Sequence, residues 1–146
     1  QLSPSIIYQK NSKNVKLTKI LAANNHLDII KKALIDATNS PGGTSYRSRL
    51  TGKNKMAGKT GTSQVRRISN KEREEGLIKN KDLPWNKRDH ALFVGYGPID
   101  NPRYALSIII EHGGSGSGAA APIASKVFNY LFREKLLNKG KEIKDV

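Results

Sequence analysis

The sequence predicts an α+β fold in which an antiparallel sheet packs against helices near both ends of the chain. Three observations carry this. An amphipathic helix lies at about 25–39, and a second at about 119–138. Between them run three β-rich stretches, at about 55–65, 90–97 and 103–112, each pair separated by polar or turn-forming residues. The last two are joined by Gly97-Pro98-Ile99-Asp100-Asn101-Pro102, a turn too short for a parallel crossover, so the three form a meander. A further short strand is expected at about 4–9, where Ser5-Ile6-Ile7-Tyr8 precedes the polar turn Gln9–Asn14. The chain of 146 residues is read as one domain at most.

In the first helix Asn24 and Asn25 offer N-caps, and Asp28 is placed in the first turn, where a carboxylate favours the dipole. Leu27, Ile30, Leu34 and Ala37 form one apolar stripe, and Ser40-Pro41-Gly42-Gly43 ends the helix. A polar, basic loop (42–55) leads into the first meander strand. Residues 66–89 hold eight Lys/Arg and five Asp/Glu, which makes a long solvated excursion with a helical turn expected near Asn70–Gly76. In the third strand, the run Ile108-Ile109-Ile110 predicts burial on both faces. The last helix places Pro122 in its first turn and an apolar stripe at Ala120, Ile123, Ala124, Val127, Phe128 and Leu131. Fully burying Ile123, Val127, Phe128 and Leu131 would stabilise the fold by roughly 1.5–3 kcal/mol each.

The formal charge of +14 predicts an anionic partner or a lysine-rich composition. With no cysteine, the chain has neither disulfides nor thiolate metal sites, and the composition fits cytosol and periplasm equally. His26, His90 and His112 lack zinc spacing, and no cofactor or metal is expected. The apolar run Ala105–Ile110 is far short of the ~20 residues that cross a bilayer, and the chain opens on Gln1 without a signal-peptide pattern. The expectation is a processed product or an excised piece, with any membrane anchor upstream of Gln1.

Several motifs are near misses. Gly52…Gly58-Lys59-Thr60 has five residues between its glycines where the phosphate-binding loop has four, and no amphipathic helix follows it. Gly116-Ser117-Gly118-Ala119-Ala120-Ala121 matches the dinucleotide turn locally but lacks the parallel strand and acid that must follow. Gly61-Thr62-Ser63-Gln64-Val65 lacks the last glycine of a nucleophile elbow. A basic nucleic-acid-binding domain is the alternative from another class. Charge favours it, whereas 6% aromatics, the interleaved acids and the absence of a recognition signature disfavour it.

The stretch Met56-Ala57-Gly58-Lys59-Thr60-Gly61-Thr62-Ser63 combines one cation, two hydroxyls and small residues that allow close backbone approach. That is the make-up of an anion-binding edge strand. Around it stand Pro4-Ser5-Ile6-Ile7, Pro41-Gly42-Gly43-Thr44, Ala57-Gly58-Lys59-Thr60-Gly61-Thr62-Ser63-Gln64-Val65, His90–Pro98, Glu111-His112-Gly113-Gly114 and Ala119-Ala120-Ala121-Pro122. In content and order these segments resemble the penicillin-binding protein and serine β-lactamase superfamily. They most closely resemble the C-terminal part of the transpeptidase domain of the elongation-type, class B family penicillin-binding protein 2.

The resemblance implies a partial β-lactamase/transpeptidase-like fold across 1–146. It also implies a parent enzyme that cross-links peptidoglycan stem peptides through an acyl-serine and binds β-lactams. The family's S-x-x-K is absent from this sequence, and Ser12-Lys13-Asn14 lies only 47 positions before Lys59, in a turn, so its S-x-N letters are read as a coincidence. The nucleophile is therefore expected before Gln1, and the fragment alone is expected to be inactive.

By resemblance, Lys59 is catalytic and Thr60, Gly61 and Thr62 bind substrate, with the Thr62 backbone N–H as half of an oxyanion hole. The implied partners are a stem peptide ending in D-Ala-D-Ala, β-lactams and a membrane-embedded glycan polymerase, with no nucleic acid. The implied location is the periplasmic face of the bacterial inner membrane.

Overall fold

The computed structural model describes residues 24–133. The strand expected at about 4–9 and the end of the last helix beyond Arg133 lie outside them. The elements are helix α1 (Asn24–Asn39), strand β1 (Ala57–Ser63), short helix α2 (Asn70–Glu75), strands β2 (His90–Gly97) and β3 (Tyr104–Ile110), and helix α3 (Ala121–Arg133). A wide π-type turn, Gly116–Ala120, feeds α3. The described sheet has the order β1-β2-β3, antiparallel throughout, as the connecting turns predict.

Register decides what each face holds. Thr60, Phe93 and Ile108 are partners across the sheet, as are Thr62, Ala91 and Ile110, so these side chains share one face. Phe93 and Ala91 are fully buried there against Met56, Ala120, Ala121, Ala124 and Phe128, with Leu106, Ile108 and Ile110 packed on the cluster. The opposite face carries Lys59, Gly61, Leu92, Val94 and Ile109.

Three burial expectations are corrected. Ile109 is 62% exposed, because no described element covers the outer face on which its register places it, while Ile108 and Ile110 pack inward. On α3 the buried line is Ala121, Ala124 and Phe128, and Ile123 and Val127 stay about two-fifths exposed. The helix lies close to the sheet through its alanines, which turns the predicted stripe to one side. On α1 the fully buried residue is Thr38, whereas Ile30 is 56% exposed. Asp28 sits past the first turn and pairs with Lys31 at 3.4 Å, an exposed pair of little energetic weight.

The excursion at 66–89 is held by polar contacts. Ser69 caps α2, its Oγ accepting from the Glu72 N–H at 3.2 Å. Arg66 reaches the Glu72 carboxylate with both terminal nitrogens, and the two side chains are only 21% and 16% exposed. The guanidinium hydrogen bond holds the Glu72 carboxyl below its ordinary value and raises that of Arg66. A carboxyl whose folded value is depressed contributes stability above its unfolded value, here ~4.3, and loses it as pH falls through the lower folded value. Protection of the amides across residues 66–78, taken relative to the intrinsic exchange rate at each pH, should therefore be high at neutral pH and fall on acidification below about pH 4. Arg66→Ala should weaken that pH dependence, since Arg66 is the largest cause of the depression and backbone hydrogen bonds supply the rest.

At the sheet end, the excursion is pinned to the turn after β3. His112 adopts φ 54°, its N–H donates to His90 Nδ1 at 2.9 Å, and its own Nδ1 lies 2.9 Å from the Arg88 carbonyl. A carbonyl only accepts, so His112 carries its proton on Nδ1, and the edge of Trp85 packs against its ring at a 4.4 Å centroid distance. Asp89 accepts from the Val65 N–H and from Asn80 Nδ2.

Candidate functional site: the free edge of β1

The backbone of β1 alternates between its neighbour and the open side. Lys55 C=O accepts from Ile99 N–H and Val65 N–H reaches Asp89, so odd-numbered positions face β2 and its flanks. The Met56 and Gly58 carbonyls instead accept from α1: Asn39 Nδ2 donates to Met56 O at 2.9 Å and Thr38 Oγ1 to Gly58 O at 3.1 Å. Even-numbered positions therefore point away from β2. By the same alternation, the N–H and C=O of Thr60 and Thr62 lie on that side. In the described residues the first half of the edge is closed by helix side chains and the second half is open.

Lys59, exposed, sits where the change occurs. Its Nζ donates to the Thr60 carbonyl at 2.9 Å and lies 3.4 Å from Thr60 Oγ1. The Thr60 hydroxyl in turn donates to Thr44 Oγ1 at 2.9 Å, on the loop that follows α1. Thr62 is exposed, with its side chain on the Ala91 face and its N–H on the open edge.

Gly61 faces the outer side beside Lys59, and a side chain there would meet only the Leu92 Cβ, at 3.3 Å. The turn into α3 presses on this strand from within: a Cβ on Gly116 would fall within 3.0 Å of the Gly61 N and O and the Leu92 O. Gly58 is as confined, against the Phe93 ring and the Val94 carbonyl.

All four expected residues thus lie on one strand edge: a cation, two hydroxyls and two outward peptide groups. An extended peptide could pair with the edge, and its anionic end would meet Lys59 and the threonines. The same geometry excludes a phosphate loop, since Gly58–Thr60 form a paired strand whose alternating N–H groups cannot converge on one anion. Sequence reasoning missed Thr38, Asn39, Thr44 and Ser45. The only signal was their position: polar residues at the end of the amphipathic helix and around its Ser-Pro-Gly-Gly stop.

Residues 2–129 match the family model described as the penicillin binding protein transpeptidase domain. Curated relatives include the peptidoglycan D,D-transpeptidase MrdA of Salmonella typhimurium, 34% identical over 110 residues covering 75% of this chain and 17% of the relative. That of Acinetobacter baumannii is 39% identical over 109 residues, covering 73% of this chain and 15% of the relative. The chain therefore spans about a sixth of the length of these relatives.

Among solved structures, a complex between penicillin-binding protein 2 and MreC from Helicobacter pylori matches with TM-score 0.60 and 30% identity, over 74% of this chain and 17% of that one. Pseudomonas aeruginosa penicillin-binding protein 2 in complex with WCK 5153 matches with TM-score 0.59 and 28% identity, over 92% of this chain and 25% of that one. Sequence and fold agree, and the chain belongs to the penicillin-binding protein transpeptidase domain family.

Proposed function

We propose that this chain is the substrate-holding part of a peptidoglycan D,D-transpeptidase of the penicillin-binding protein 2 type. The observation that carries the reading is the abrupt opening of the β1 edge at Lys59, after Met56 and Gly58 are closed by α1. A stem peptide ending in D-Ala-D-Ala lies antiparallel along Thr60–Thr62. Its terminal carboxylate is held by the Lys59 ammonium and the Thr60 and Thr62 hydroxyls.

A serine outside this sequence, which has no S-x-x-K, attacks the carbonyl of the penultimate D-alanine. The oxygen gains negative charge and is met by the Thr62 N–H together with the serine's own N–H, a pairing in which one donor is worth about 10²–10³ in rate. The C–N bond breaks, D-alanine leaves with a proton, and an amine of a neighbouring stem peptide displaces the serine. A β-lactam enters the same way but stays acylated. The parent would act at the periplasmic face of the inner membrane beside a membrane-embedded glycan polymerase, without metal or cofactor. A nucleic-acid partner rests on charge alone and is not part of the proposal.

The test is labelling by a fluorescent penicillin. The chain alone should remain unlabelled, and a polypeptide joining it to the S-x-x-K and second-motif segments should label covalently. Covalent labelling of the chain alone would sink the claim that the nucleophile lies elsewhere.

A further inference from the structure

The two α1 side chains that close the first half of the β1 edge have a use beyond holding the helix to the sheet. We propose that Thr38 and Asn39 are positioning residues that set where the substrate-binding edge begins, and hence the register of an acyl donor against Lys59 and Thr62. The proposal rests on the transpeptidase reading above.

The proton count fixes the direction of each bond to a carbonyl. The Gly58 carbonyl can only accept, so the single Thr38 hydroxyl proton goes to it, at 3.1 Å. The Ser45 hydroxyl spends its single proton on the Ala37 carbonyl at 3.1 Å, and its oxygen lies 3.2 Å from Thr38 Oγ1. Thr38 and Ser45 are both essentially fully buried, so neither can exchange its partner for water. Asn39 divides its two amide protons between Ile35 O at 3.0 Å, in the last turn of α1, and Met56 O at 2.9 Å. The end of the helix is thus welded to two successive outward carbonyls of β1.

The next outward carbonyl, Thr60 O, lies about 7 Å further along the strand. No α1 side chain reaches it; its partner is the exposed Lys59 ammonium, which an incoming carboxylate can redirect. An extended ligand therefore finds its first available edge group at Thr60. It cannot slide two residues towards Met56, because α1 already occupies those acceptors. The loop that continues α1 adds a second fix, with Thr44 accepting from the Thr60 hydroxyl. Without the Thr38 proton, the buried Gly58 carbonyl would have to seek a new partner, and Lys59, the next residue, would move with it.

The experiment uses the full transpeptidase polypeptide that carries this chain, with the variants Thr38→Val, Thr38→Ser, Asn39→Ala and Lys59→Ala. Penicillin acylation is followed at several concentrations, separating the maximal rate, the half-saturating concentration and the amplitude, which reports the folded fraction. Thr38→Val should lower the maximal acylation rate of the folded fraction by about 10-fold or more, as misplacement of a catalytic group does. Thr38→Ser, which keeps the hydroxyl, should restore it. A merely structural role would lower the amplitude and leave the rate of the folded fraction at the parent value; that result overturns the proposal, as does failure of Thr38→Ser to restore the rate.

Should Thr38→Val not fold, Asn39→Ala reads the same quantity through the Met56 carbonyl: a reduced rate supports the proposal and an unchanged one overturns it. Lys59→Ala separates the two levels. Loss of acylation there with Thr38→Val at the parent rate refutes the register stop alone. Full acylation of Lys59→Ala refutes the transpeptidase reading and the register stop together.

Discussion

Replacing Lys59 by Ala in a polypeptide that also carries the nucleophile should lower β-lactam acylation on the order of 10²-fold or more, with little change in thermal stability. The contrast follows from the position of the side chain. Lys59 is exposed on the outer face, and its hydrogen bonds are to the neighbouring Thr60 alone, so the fold loses almost nothing with it. The site loses its cation at the point where the strand edge opens, and with it the attraction for a carboxylate. Lys59→Arg keeps the charge but replaces a compact ammonium with a larger planar fork, and should recover only part of the rate. Acylation time courses with a fluorescent penicillin, read beside a melting curve, check both halves. Equal losses of stability and acylation would assign Lys59 to the fold.

The second large effect should come from a residue with no side chain. Gly116→Ala would force a methyl group into the backbone of Gly61 and Leu92, closer than 3.0 Å to atoms of both. These are backbone atoms of two paired strands, so no side chain can rotate away. Overpacking of this kind costs about 1–3 kcal/mol. Part of the strain should be relieved by displacing β1 at Gly61, between Thr60 and Thr62. Gly116→Ala should therefore lower the melting temperature and slow acylation together, unlike Lys59→Ala. By contrast, Gly52→Ala, at a position with open space around it, should leave both nearly unchanged. Denaturant unfolding and the same acylation assay read the two quantities.

Within the described residues, the short helical turns at Tyr46–Ser48, Asn80–Asp82 and Trp85–Lys87 and the wide turn Gly116–Ala120 were not legible in the sequence, whereas the approximate limits of the two long helices, the three strands and the helical turn near Asn70–Gly76, found as α2, were. Local signals suffice for this: hydrophobic period, glycine–proline punctuation, and a turn too short for anything but an antiparallel return. The placement of Lys59, Thr60, Gly61 and Thr62 on one strand was equally legible, because it depends on contiguous residues.

Tertiary structure decided what the periodicity could not. An apolar stripe says which residues could be buried, but not which neighbour arrives to cover them. Hence Ile30, Ile109, Ile123 and Val127 remain exposed, while Thr38, a polar residue one turn beyond Leu34 on the same side of α1, is sealed. The division of β1 into a closed and an open half rests on hydrogen bonds between residues 17 and 20 positions apart. No local pattern encodes these, because they form only once α1 lies along the strand. So the sequence by itself named the family and placed the cation, the two threonines and the glycine on one strand. Packing decided which backbone groups of that strand α1 satisfies and which are left open, because those hydrogen bonds form only between segments brought together by the fold.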